Sequence, residues 1–100
     1  MSEAYELHNR RHRRLSILRM LAGSGEYRAN DSLLMQVVNE FGIVSTRDQV
    51  RSDLTWLKEQ GFVTLRDAAG VMVATMTEAG GEVASGRRTD PGIAKPSPKG

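Results

Sequence analysis

The fold is decided by one stretch, VSTRDQVRSDLTWLKEQGFVTL, residues 44–65. Within it Val50, Leu54 and Leu57 recur at i, i+4 and i+7, the spacing that gathers side chains on one side of a helix. Two overlapping capping signals precede them, Ser45 with Asp48 three residues on and Thr46 with Gln49 three residues on. A hydroxyl in such a position accepts from a backbone N–H that has no partner inside the helix, so a helix begins here. Gly61 ends it, and the β-branched and aromatic FVTL that follows reads as a strand. With the three apolar residues inward, Asp48, Arg51, Ser52, Thr55 and Trp56 point broadly outward, flanked by Arg47, Gln49 and Lys58.

Toward the N-terminus, Asn30 or Asp31 can cap a second helix that ends before Gly42. Its stripe of Leu33, Leu34, Val37, Val38 and Phe41 is predicted to be core. The link from Gly42 to Ser45 is about the length of a helix-turn-helix turn. A first helix is expected over residues 5–21, with Ile17, Leu18 and Leu21 inward, Leu15 at the margin and Gly23 as its stop. The stretch SGEYRA between these helices leaves room for a turn and a strand of two or three residues.

Toward the C-terminus, RDAAG can turn the chain and VMVATM supplies a second strand, which makes a hairpin. TEAGGEVASGRR forms a short last helix capped by Thr77, weakened at Gly80 and Gly81 by about 1 kcal/mol each relative to Ala. TDPGIAKPSPKG carries three Pro and little that is apolar, and reads as a flexible tail. The expected organisation is thus one domain over residues 1–88 and a Pro/Gly-rich tail over 89–100. Short connections force the three helices together with the hairpin beside them, an α+β winged helix-turn-helix.

The bulk composition agrees with one domain. A chain of 100 residues is long enough for a single core and too short for two. It has no cysteine, which excludes disulfides and thiolate metal sites and fits a cytoplasmic setting. No apolar run approaches the length of a membrane span, so no membrane partner is expected. The net charge of +2 is small, but its distribution is uneven. Residues 1–30 hold Arg10, Arg11, Arg13, Arg14, Arg19 and Arg28 against Glu3, Glu6 and Glu26. Residues 31–60 hold Arg47, Arg51 and Lys58 against Asp31, Glu40, Asp48, Asp53 and Glu59.

Together RLSILRML, YRANDSLL, VRSDLTWLKEQGFVTL, VATMTEAG and PGIAKPSP resemble a family of short winged-helix proteins carried by Mu-like phages and prophages. The helix, hairpin and TMTEAGG also look like the corresponding part of small arsenical-repressor-like regulators. The resemblance implies a winged helix in a host bacterial cell and a role in transcription regulation. The metal sensing of arsenical-repressor-like proteins uses cysteines, and none is present here.

Two functions remain open on these residues. In the first, the third helix enters the major groove of duplex DNA. Arg51 suits a guanine edge and Gln49 an adenine edge, while Arg47, Ser52 and Thr55 reach phosphate or sugar oxygens. Arg66 of the wing and Arg10, Arg11, Arg13 and Arg14 of the first helix add phosphate contacts, and the protein acts as a homodimer. In the second, the same core serves as a phage adaptor or assembly module that binds a phage or host protein. The acids around the third helix, the half-exposed Trp56 and the tail favour that reading. His8 and His12 share a helical face but lack a third ligand. No catalytic residues, metal or cofactor are expected, and an enzyme is not.

Overall fold

The computed structural model describes residues 2–97. Helix α1 spans Glu3–Ala22, its first turn closed by the Ser2 hydroxyl accepting from the Tyr5 N–H at 3.1 Å. Glu3 and Glu6 near its start and Arg19 near its end suit the helix dipole. Only its second half reaches the core, through Leu15, Ile17, Leu18 and Leu21, while residues 2–8 are exposed. A single 3₁₀ turn, Gly25–Tyr27, leads to strand β1, Arg28–Asn30. The Asn30 side chain then caps α2, Asp31–Glu40, by accepting from the Leu33 N–H.

Helix α3, Arg47–Glu59, begins with a reciprocal box. Thr46 Oγ1 accepts from the Gln49 N–H, and Gln49 Oε1 accepts from the Thr46 N–H. Ser45, the competing cap, is buried and serves elsewhere. Strands β2 (Val63–Ala68) and β3 (Val71–Met76) form the wing, and α4 (Glu78–Ser85) follows, capped by Thr77 as expected. The sheet is antiparallel in the order β1-β3-β2. This is a winged-helix architecture.

The core joins Leu34 and Val38 of α2, Val50, Leu54 and Leu57 of α3, Phe62 just before β2, Val63 and Ala74 of the sheet, and Val83 of α4 with the α1 residues above. Three expectations change. Of the α2 stripe only Leu34 and Val38 are buried. Leu33 and Phe41 are 45% and 69% exposed, because a ten-residue helix lying between α1 and α3 buries a line narrower than five residues. The wing turn is shorter than RDAAG. Arg66, Asp67 and Ala68 pair with Val73, Met72 and Val71, and only Ala69 and Gly70 turn the chain, with φ of 54° and 82°. Two successive positive φ angles give the twist that matches a two-residue hairpin, and Gly is suited to the second.

The third change concerns the segment read as a flexible tail. Ile93 and Ala94 are buried at 2% and 7% exposure, and the Ala94 N–H donates to the Arg11 carbonyl at 3.2 Å. Isolated between Pro residues, Ile93 carries little weight in composition, yet it occupies a slot against α1. Residues 89–94 therefore belong to the packed domain; residues 98–100 lie outside the described part of the chain. Gly80 also gains a reason. A Cβ there would stand 2.2 Å from the Phe62 carbonyl oxygen, so α4 approaches the start of β2 only where no side chain intervenes.

Candidate functional site

The outer face of α3 and the wing beside it form the surface that a winged helix offers to a ligand. Gln49, Ser52 and Thr55 are exposed there, with Arg47 and Asp48 near the helix start. Several of these side chains are already engaged. Gln49 has its amide oxygen committed to the capping box and keeps only its NH₂ for a ligand. Thr55 donates its hydroxyl to the Arg51 carbonyl at 3.0 Å, which leaves its oxygen as an acceptor.

Arg51 is the most tightly held. Its Nε donates to Asp31 Oδ2 at 2.5 Å, and its Nη2 donates to the Gly70 carbonyl in the wing turn at 2.7 Å. Arg47 donates its Nε to the same Asp31 oxygen at 3.2 Å. One carboxylate at the head of α2 thus gathers both arginines of α3, and one of them ties α3 to the wing. Asp31 is fully buried, and its Oδ1 has no partner among the described residues. Burial pushes the Asp31 carboxyl up, but the hydrogen bonds and charges of Arg51 and Arg47 outweigh it and hold the group below its ordinary range. The hydrogen bond that Arg51 donates to Asp31 raises Arg51, assisted by the charges of Asp31, Asp67 and Asp48.

The arginine cluster of α1 divides. Arg10 is exposed, and with Asn9 it faces Gln49, Ser52 and Thr55 across a cleft of about 630 Å³ between α1 and α3. Arg11 is half-buried, with its Nε enclosed and without a partner among the described residues. Arg13 and Arg14 are buried, which corrects the expectation that they meet phosphate. Both donate Nε to Asp53, at 2.5 and 2.9 Å, from the floor of the cleft. Arg13 also donates to the Ser45 hydroxyl, and Arg14 to the Gly92 carbonyl. The Arg14 guanidinium lies 3.9 Å from the Trp56 ring centroid, and a Cβ on Gly92 would come within 2.6 Å of the same ring. Trp56 therefore pads α1 and the C-terminal segment. Arg66 is exposed in mid-strand on β2, away from the turn.

His8 and His12 stack with ring centroids 4.8 Å apart. Partial burial, then the charges of His8 and Arg11, lower His12 from its ordinary value. Among the described residues no group of three or more His, Cys, Asp or Glu is placed to hold a metal ion. None of the helices among them is long and apolar enough to cross a membrane.

Over 87 residues the chain is 39% identical to an uncharacterised protein, gp26, of Escherichia phage Mu, covering 87% of this chain and 90% of the relative. The chain belongs to the phage Mu gp26 family. A second relative, an uncharacterised protein of Haemophilus influenzae, is 42% identical over 66 residues, 65% of this chain and 64% of that one. No family model matches, and no solved structure matches. In this gp26-family chain, sequence reasoning missed Asp31 and Asp53 as organisers of the arginines. The signal was present: Asp31 precedes Leu34 and Val38 by three and seven residues, and Asp53 lies three after Val50 and four before Leu57. Both sit on apolar stripes, where an acid needs a buried partner.

Proposed function

We propose that the domain binds duplex DNA through α3 and the wing, as a phage regulator of transcription. The observation that carries this reading is Arg51, held between α2, α3 and the wing turn with its Nη1 not engaged in any hydrogen bond described above. A guanidinium fixed before its ligand arrives loses little freedom on binding. Arg51 and the NH₂ of Gln49 address base edges; Ser52, Thr55, Arg66 and Arg10 address the backbone, and Arg47 stays with Asp31. The regulator acts by occupancy as a dimer on paired half-sites.

Few phosphates are neutralised in such a complex. The cations Arg47, Arg51, Lys58 and Arg66 are matched around α3 and the wing by Asp31, Asp48, Glu59 and Asp67. The salt dependence is accordingly shallow, with a log–log slope of about −0.9 per phosphate contact. The test is selection of a duplex from a random pool at low salt, followed by Arg51→Ala on the selected sequence. Loss of roughly 1–3 kcal/mol of specific binding is expected. A pool that shows no enrichment after repeated rounds rejects the reading.

The adaptor reading is favoured by two features: the charge balance of this face, and the cleft beside it, edged by Val44 at 81% exposure. It gains if no duplex is enriched while a purified phage or host protein binds and protects α3 from hydrogen exchange.

A further inference from the structure

We infer that Asp31 is a specificity-determining residue, which withholds Arg47 and Arg51 from bulk phosphate and aims Arg51 at a base edge. The inference rests on the DNA-binding reading and deepens it. Its basis is geometric. A fully buried carboxylate takes Nε of both arginines on one oxygen, and the Gly70 carbonyl takes Arg51 Nη2. Charge-assisted bonds of this kind are directional, and a guanidinium bound along one edge keeps its orientation.

The consequences for two kinds of target differ. A phosphate is a point of negative charge and rewards any nearby free cation, whereas a guanine edge rewards a guanidinium in one orientation. Around Arg51 stand Asp31 and, across α3 and the wing, Asp48 and Asp67, so its charge is largely answered within the molecule. Random duplex therefore gains little from these arginines. A duplex that presents the right base at the open end of Arg51 gains a contact without releasing Asp31.

Asp31→Asn keeps the shape and removes the charge. The expected result is tighter binding to random duplex, and a log–log salt slope steeper by about 0.9 for each arginine released. The ratio of selected to random affinity falls by about tenfold, within the range of one good base contact. Binding by the variant with none by the wild type also supports the inference. Wild type that binds, with slope and ratio unchanged in Asp31→Asn, overturns the inference and leaves the DNA reading standing. Wild type and variant that both fail to bind any duplex overturn the two together. Because Asp31 is buried and its change can weaken the fold, the wild type alone supplies a second measurement. The Arg51 Nε–H should relax in ¹⁵N NMR as rigidly as the backbone, with an order parameter near about 0.85; a value below about 0.6 overturns the inference.

Discussion

Asp53 shows how much one side chain can organise. It accepts from Arg13 and Arg14 at 3% side-chain exposure, with the two arginines at 6% and 10%. Asp53→Ala would leave two guanidinium groups enclosed without their anion. Removing one partner of a buried pair costs about 3–5 kcal/mol, and we expect urea unfolding to report a loss in that range. A loss under about 1 kcal/mol, as for surface pairs, would mean that water reaches the cluster. A second residue-scale prediction concerns His12, whose folded pKa lies below the ordinary 6.5. As pH falls, the unfolded chain takes up this proton first. Neutral His12 therefore supports the fold above pH 6.5, and that support is lost as pH drops through the lowered folded value. NMR titration should place His12 below 6.5. His8→Ala should bring it only part of the way back, since burial is the larger cause.

At the scale of elements, the sequence carried α3 and its cap almost completely, because a capping box and an i, i+4, i+7 line are local signals. The hairpin was legible in existence and too short in extent. Strand pairing holds Arg66 and Asp67, residues whose composition alone suggests a turn. The candidate site was legible as a set of outward residues on α3, and illegible in its bonding. Arg13 and Arg14 fall one turn before Ile17 and Leu18 on the same stripe and go inward with them, but nothing local in α1 announces the distant Asp53 that receives them. The glycines of α4 illustrate the same divide. Helix propensity alone favours Ala at both Gly80 and Gly81. Gly80, though, meets the Phe62 backbone, whereas a Cβ at Gly81 meets only the Met76 methyl at 3.3 Å. We expect Gly80→Ala to destabilise by about 1–3 kcal/mol through overpacking. Gly81→Ala should be neutral or stabilising by up to about 1 kcal/mol. Paired thermal melts decide between this and equal responses at both positions.

For the molecule as a whole, residues 92–94 close the structure rather than trail from it. Ile93 fills a slot at 2% exposure, Ala94 bonds α1, and Gly92 lies against Trp56. Ile93→Ala should therefore cost about 2–5 kcal/mol, a core penalty, from a position that composition marks as tail. Chemical denaturation gives the value; a change below about 0.5 kcal/mol would return the segment to the surface class. The placement of Trp56 has one more consequence. It is the single indole of the chain, clasped between the Arg14 guanidinium and the Gly92 backbone. Its emission is thus a built-in optical gauge of whether the C-terminal clasp is shut, one that should shift to longer wavelength in Ile93→Ala while far-ultraviolet dichroism still reads native.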